Sequence, residues 1–142
     1  MTAVTSLLYV SKSVLRMPDE KHELSNIVKV ARARNAKLEV TGALVFTGER
    51  FAQVLEGSAG AVDELMTSIC RDRRHTEVNV VQVIELDARQ FPDWSMAYSG
   101  PSTYVDRHIS PLFTTFADSQ SGSARALVRL MEALVSEGGI SR

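Results

Sequence analysis

Strand-type and helix-type patterns follow one another along this chain in an order that constrains the fold more than any other feature. Alternating or continuous apolar runs predict five strands, at residues 6–10, 40–46, 51–56, 78–86 and 94–98. Apolar stripes at helical spacing predict one helix that begins after Pro18 and ends near Asn35, and a second that begins after Gly60 and ends in the run 71–75. The order β-α-β-β-α-β-β contains the split β-α-β unit of ferredoxin-like folds. We therefore expect an α+β domain with a five-stranded mixed sheet and both helices on one face.

The composition changes at residues 99–102, where the chain reads Ser-Gly-Pro-Ser. Residues of this kind mark a loop, so we expect a core over residues 1–100 and an extension of two C-terminal helices over residues 101–142, within one compact unit. The second of these helices carries an apolar stripe, which is Leu127, Leu130, Met131 and Leu134. The stripe either packs against the free face of the sheet or contacts another subunit, and packing is the favoured interpretation.

The bulk composition narrows the class of protein. The chain has 142 residues, of which 44% are hydrophobic and 23% charged, as in an ordinary globular domain. Sixteen basic and seventeen acidic residues leave a formal charge of −1, which does not predict binding to nucleic acid or anionic membranes. The single cysteine, Cys70, fits a reducing compartment, and no apolar run approaches the ~20 residues of a membrane span. We expect a cytoplasmic protein without a fused output domain.

Residues 51–57 read Phe-Ala-Gln-Val-Leu-Glu-Gly and place an uncharged amide within an apolar strand. Because successive strand side chains alternate, Phe51, Gln53 and Leu55 share one face, and Glu56 belongs to the other. A glutamine offers up to four hydrogen bonds, and leaving a buried amide unsatisfied costs ~1–3 kcal/mol. Two interpretations are open: Gln53 bonds neighbouring backbone or lies at a strand edge, or it binds a polar ligand over this face.

Several kinds of chemistry have little support. His22, His75 and His108 are scattered without metal-ligand spacing, so no metal site is expected. Cys70 falls on the apolar stripe of the second helix and is expected to be a small core residue. The chain has no Gly-x-Ser-x-Gly motif, and the Gly-Ser-Ala-Gly sequence at 57–60 fits a plain turn better than an anion-binding loop.

The polar run 71–75 reads Arg-Asp-Arg-Arg-His and has three interpretations. A nucleic-acid patch is disfavoured because Asp72 interrupts the run and no aromatic residues are interleaved. A solvated helix end is a better explanation. The favoured one is a set of cations and one acid beside a ligand pocket.

Taken singly, Tyr9, Trp94 and Met96 are most simply packing residues.

Six groups of residues occur in collinear order between about residues 6 and 100. They are Tyr9, Asn35, Thr41-Gly42, Phe51-x-Gln53-x-Leu55-Glu56-Gly57, Ile69-x-x-Asp72-x-Arg74-His75 and Trp94-Ser95-Met96. Each group is weak evidence alone, but together they resemble the BLUF family of blue-light sensors that use FAD. The short chain with a helical tail is similar to the stand-alone members of that family.

The resemblance implies a set of FAD-binding residues, which are Tyr9, Ile27, Asn35, Gln53, Ile69, Asp72, Arg74 and His75. By this resemblance Ile27 and Ile69 clamp the isoalloxazine ring between the two helices, and Asn35 bonds its pyrimidine edge. Gln53 bridges Tyr9 and the N5/O4 edge of the flavin. Asp72, Arg74 and His75 contact the flavin and its ribityl side.

The resemblance also implies a function as a photoreceptor rather than an enzyme. Flavin excitation drives reversible electron and proton transfer from Tyr9 through Gln53, which rearranges hydrogen bonds. Trp94 and Met96 on the last strand pass the change to the C-terminal helices and to a partner protein in trans or a homo-oligomer. Arg34 departs from the family, since several members have a second asparagine there, and Ala31 stands where some members have serine.

Two alternatives stay open on the same fold. A flavin-free interaction or regulatory domain would have kept the fold and lost the photochemistry, although the intact pair of Tyr9 and Gln53 argues against it. A small enzyme, such as an acyl phosphate hydrolase, would need an arginine and an asparagine at a phosphate-binding loop. No comparable loop is evident in the sequence.

Overall fold

The structure is a computed structural model, and it describes residues 3–15, 21–46, 50–92, 97–99, 128–129 and 131–132. Its elements are β1 (Val4–Ser13), α1 (Lys21–Lys37), β2 (Thr41–Phe46), β3 (Arg50–Gly57), α2 (Ala59–Arg71), β4 (His75–Leu86) and β5 (Ala97–Ser99). The order of the first six elements, from β1 to β4, is the one predicted from the sequence patterns. Among the residues that are described, neither helix combines the length and apolar character needed to cross a membrane.

The sheet has the strand order β4-β1-β3-β2-β5. Strand β1 is antiparallel to both β3 and β4, and β2 is antiparallel to β3. The parallel pair β1 and β2, joined through α1 with β3 between them, is the split unit expected from the sequence. The three residues of β5 run parallel to β2, with Ala43 opposite Ala97. Trp94, Met96 and most of residues 101–142 lie outside the described residues.

The two helices pack on one face of the sheet. Leu7 and Leu55 from the sheet form a core with Val28 of α1 and with Val62 and Leu65 of α2. Each such side chain contributes about 1.5–3 kcal/mol when it is fully buried, so this layer is a main source of stability. The other sheet face is buried as well, as Leu8, Val45 and Val54 show.

Local signals set the ends of α2. The Ser58 side chain accepts a hydrogen bond from the Ala61 amide and caps the first turn, while the Asp72 amide donates to the Ile69 carbonyl at the other end. The turn expected at 57–60 is therefore the start of this helix. The prediction that Cys70 is a core residue is wrong, because Cys70 is exposed. It stands one residue beyond Ile69, about 100° around the helix from the face that packs.

Candidate functional site

A cavity of about 320 Å³ lies between α1, α2 and the sheet, within the range typical of small-molecule sites. Its sheet-side lining is Tyr9, Leu44, Phe51 and Gln53. Strands β1, β2 and β3 direct these side chains toward the helices because they occupy the same face of the sheet. The cavity therefore combines an apolar floor with two polar groups.

Tyr9 and Gln53 lie opposite each other in the β1–β3 ladder. The Tyr9 hydroxyl donates a hydrogen bond to Oε1 of Gln53, and their residues are only 3% and 4% exposed. Burial, assisted by the negative charge of Asp72, raises the pKa of the Tyr9 phenol far above its ordinary value. The phenol is therefore neutral and held against an amide. Gln53 thus has a side-chain partner, and it is not at a strand edge.

The two helices supply the walls of the cavity. Ile27 of α1 and Ile69 of α2 line it from either side, and both are half-buried. Asn35, near the end of α1, lines it as well and is 1% exposed. The helix continues to Lys37, two residues beyond the expected end, so that Asn35 stands on helical backbone and its carbonyl accepts from Val40 at 2.8 Å.

Asp72 and Arg74 form a compact ion pair at the rim of the cavity. The Asp72 carboxylate accepts from Nε of Arg74 at 2.9 Å, from its NH2 group at 2.7 Å and from its backbone amide at 2.9 Å. The hydrogen bond from the Arg74 side chain lowers the pKa of Asp72 and, reciprocally, that bond raises the pKa of Arg74. Glu23 of α1 lies 3.6 Å from the Arg74 guanidinium, so the ion pair extends to α1.

His75 is held at both ring nitrogens. Nε2 lies 2.7 Å from the Ile69 carbonyl, and Nδ1 lies 2.8 Å from the Ser11 hydroxyl. Because a carbonyl only accepts, Nε2 carries a proton, and in the neutral ring Nδ1 accepts from Ser11. The ring meets Tyr9 edge-on at a centroid distance of 6.2 Å and Phe51 at 6.0 Å. This contact fixes the orientation of the ring beside the phenol.

The structure brings all the predicted cofactor-binding residues to this one cavity: Tyr9, Ile27, Asn35, Gln53, Ile69, Asp72, Arg74 and His75. Arg34 and Ala31, where the chain departs from the expected pattern, line it as well. Two further residues, Ser11 and Glu23, contact the site residues and were not predicted from the sequence. Ser11 could have been found, since it stands two residues from Tyr9 on the same strand. Glu23 had no signal, because its contact depends on how α1 packs.

The cavity fits a planar aromatic ligand with one polar edge. Ile27 and Ile69 offer apolar surfaces on opposite sides of the cavity. Asn35 and Gln53 supply buried amides that can form hydrogen bonds with the polar edge of the ligand. The paired charges of Asp72 and Arg74 stand at the rim, where a polar side chain of that ligand would leave the cavity. An isoalloxazine ring with its ribityl chain has this combination of features.

Comparison with known proteins agrees with this fit. A family model described as sensors of blue light using FAD matches residues 4–97. Among curated relatives, photoactivated adenylate cyclase subunit beta of Euglena gracilis is 36% identical over 96 residues, which are 67% of this chain and 11% of that protein. The blue light- and temperature-regulated antirepressor BluF of Escherichia coli (strain K12) is 35% identical over 81 residues, 57% of this chain and 19% of that protein. The chain thus spans between about a tenth and a fifth of these relatives.

Comparison with solved structures shows that the similarity includes the fold. The dark-state structure of BlrB, a BLUF protein, has 32% identity and a TM-score of 0.77, covering 94% of this chain and 98% of that one. Klebsiella pneumoniae BlrP1, solved with FMN and cyclic diGMP, has 26% identity and a TM-score of 0.66, covering 96% of this chain and 35% of that one. The four antiparallel strands and two helices are the fold that these proteins share. The chain therefore belongs to the BLUF family, whose members sense blue light with FAD.

Proposed function

We propose that this chain is a blue-light receptor in which Tyr9 is the electron and proton donor and Gln53 is the switch. The observation that supports the proposal most strongly is the hydrogen bond from the Tyr9 hydroxyl to the Gln53 amide oxygen, inside a cavity that fits a flavin. A phenol can give up an electron and a proton reversibly. An amide offers an acceptor at one end and a donor at the other.

The protonation state of Tyr9 determines how it can react. Bound flavin supplies the absorption of blue light and an excited state that accepts an electron. The phenol is neutral, because burial raises its pKa. Oxidation makes a phenol strongly acidic, so its proton leaves along the hydrogen bond that already exists, toward Oε1 of Gln53. When the electron and proton return to Tyr9, the Gln53 amide is left rotated or tautomerised.

The altered amide is the stored signal. In one arrangement the amide oxygen of Gln53 accepts from Tyr9. In the other, a hydrogen-bond donor of Gln53 would be available to a carbonyl of the bound flavin. A stronger hydrogen bond at that carbonyl shifts flavin absorption slightly to the red. No covalent bond to the cofactor is needed, and thermal return of the amide restores the dark state.

The remaining residues of the cavity bind and orient the cofactor. Ile27 and Ile69 would hold the ring between the helices, and Asn35 would bond its pyrimidine edge. Asp72 and Arg74, already paired at the rim, would contact the ribityl side. His75, fixed by Ser11 and Ile69, would keep the phenol of Tyr9 and the flavin in register.

The output passes from β3 to the last strand and the C-terminal helices. We assign residues 1–100 to the sensing core, in which Trp94 and Met96 precede β5 in the sequence and relay the signal, and residues 101–142 to a helical extension. Relatives are named as a photoactivated adenylate cyclase and an antirepressor, so effectors differ within the family. For this chain we propose a cytoplasmic partner in trans or a change in self-association.

Purification and illumination test the proposal. The protein should be yellow and release FAD on denaturation, and blue light should shift its absorption reversibly to the red. A colourless protein that fails to take up added FAD would favour the flavin-free interaction domain instead. A yellow protein whose spectrum does not respond to light would contradict the assigned switch while leaving cofactor binding intact.

A further inference from the structure

A buried carboxylate lies on the sheet face opposite Gln53. Strand β3 directs Gln53 toward the cavity and, three residues later, directs Glu56 to the other side, where it is fully buried. The Glu56 carboxylate accepts three hydrogen bonds. The donors are the Ser6 hydroxyl at 2.8 Å, the backbone amide of Gln90 at 2.7 Å and the backbone amide of Phe91 at 2.9 Å. Burying a carboxylate is costly unless it is hydrogen-bonded, and these three donors satisfy it.

The Arg89 side chain also binds this segment to the sheet. Its guanidinium donates to the Glu56 carbonyl at 2.9 Å, the Thr41 hydroxyl at 2.9 Å and the Glu39 carbonyl at 2.8 Å. Residues 89–91 are therefore bound to β3 and to the start of β2 by side-chain contacts in both directions. We call Glu56 and Arg89, with the amides of Gln90 and Phe91, the clasp.

The position of the clasp along the chain connects it to the output region. Phe91 is buried, and only a few residues separate it from Trp94, Met96 and β5. The sheet and the segment before β5 therefore meet at Glu56.

We propose that Glu56 is a positioning residue that makes residues 89–91 follow any displacement of β3 caused by Gln53. A buried carboxylate cannot exchange its donors one at a time without a large cost, since each lost donor leaves charge unsatisfied. A shift of β3 is therefore transmitted to the Gln90 and Phe91 amides instead of being absorbed. The bonds of Arg89 hold residues 89–91 where the backbone amides of Gln90 and Phe91 reach the Glu56 carboxylate, so the coupling requires both Glu56 and Arg89.

This inference rests on the proposed function for its light-driven part, but the coupling itself can be measured in the dark. The full-length, flavin-loaded chain is prepared as native protein, Q53L, R89A and the double variant. Amide hydrogen exchange at Gln90 and Phe91 reports the clasp directly, because these amides donate to Glu56. We expect Q53L to change their exchange rates by about fivefold or more in the native background, and to have no effect when R89A is present.

Matched variants separate coupling from general stability. T5V removes a hydroxyl–carboxylate bond to Glu85 that is 2.8 Å long, like the bond between Ser6 and Glu56, but lies outside the clasp. T5V should leave the effect of Q53L intact. E56Q keeps an oxygen that accepts from the two amides and should preserve most of the coupling, whereas E56A should abolish it. Should E56A not fold, R89A, whose side chain is partly exposed, decides the question.

Measurements under blue light distinguish the proposed photochemistry from the proposed role of Glu56. In R89A, blue light should still shift the flavin spectrum by the native amount while the light-dependent change in exchange at residues 87–99 is lost. If native protein shows no spectral shift, the proposed photochemistry fails and the dark measurement still tests the clasp. If Q53L has no effect on Gln90 and Phe91, or has an equal effect with and without R89A, the positioning role of Glu56 is overturned.

Discussion

The hydroxyl of Tyr9 donates to the amide oxygen of Gln53, and these residues face each other directly across the β1–β3 ladder. The register of the two strands therefore sets their separation, and neither loop geometry nor a mobile segment is involved. Rigid elements hold reacting groups more precisely than loops do. A switch that must return to the same dark state many times needs such a frame.

Removal of the Tyr9 hydroxyl should abolish the light response. Tyr9→Phe keeps the ring and its edge-on contact with His75 but deletes the group that gives up the proton. We expect unchanged flavin content and no stable red shift after illumination, measured by absorbance. Tyr104→Phe, outside the residues that match the family, is a control of the same chemistry and should respond normally. A normal photocycle in Tyr9→Phe would show that Tyr9 is not the donor.

Replacement of the Gln53 amide should lower stability in the dark. Gln53→Leu leaves the buried Tyr9 hydroxyl without its acceptor, which costs about 1–3 kcal/mol in the free energy of unfolding. Chemical denaturation of the flavin-free protein measures this cost. Gln82→Leu on β4 is the matched control and should change stability by no more than about 0.5 kcal/mol. The double variant with Tyr9→Phe should recover part of the loss; full additivity would mean that the two side chains are not coupled.

Two glycines should respond in opposite ways to alanine. A Cβ at Gly42 would lie 1.9 Å from the backbone carbonyl oxygen of Val54, so β2 and β3 would have to separate. We expect Gly42→Ala to cost more than about 2 kcal/mol in the free energy of unfolding. Gly60→Ala in the first turn of α2 meets nothing within 4 Å and should stabilise the protein by about 0.5–1 kcal/mol. Thermal unfolding of both variants checks the pair, and a neutral Gly42→Ala would contradict the close packing of these strands.

The ion pair at the cavity rim should make stability depend on pH in the acid range. Arg74 lowers the folded-state pKa of Asp72, so the stabilisation is complete above the unfolded value of ~3.9 and is lost as the pH falls through the lower folded value. At neutral pH, Asp72→Asn should cost about 1 kcal/mol. The difference from native protein should vanish in strong acid. Asp63→Asn on the exposed side of α2, away from the cavity rim, is the matched control variant.

The sequence predicts the elements of this fold well and some of their ends poorly. Hydrophobic periodicity predicts strands β1 to β4 and both helices α1 and α2 in their observed order. It misses the first three residues of β4, because His75 and Thr76 lack an apolar pattern and are strand only through pairing with Ser13 and Lys12. Long-range pairing of this kind leaves no local signal.

The site shows a similar division between local and long-range information. The residue types and order around Gln53 indicate the family, and the structure places the expected residues in one cavity. What the alternation at residues 51–57 does not reveal is that both faces of β3 are buried. The alternation places Glu56 on the face opposite Gln53 but does not predict that it accepts from Ser6, Gln90 and Phe91. Only the fold brings those donors together.

The central claim is that light changes the hydrogen bonding of the Gln53 amide. The most direct test is a light-minus-dark infrared difference spectrum of the flavin-loaded chain, recorded for native protein and for Gln53→Leu. A stronger hydrogen bond lowers the stretching frequency of a carbonyl, so the account predicts a reversible downshift of a flavin carbonyl band in native protein and none in the variant. The same downshift in both proteins, or its absence from a native protein that carries flavin, would contradict it.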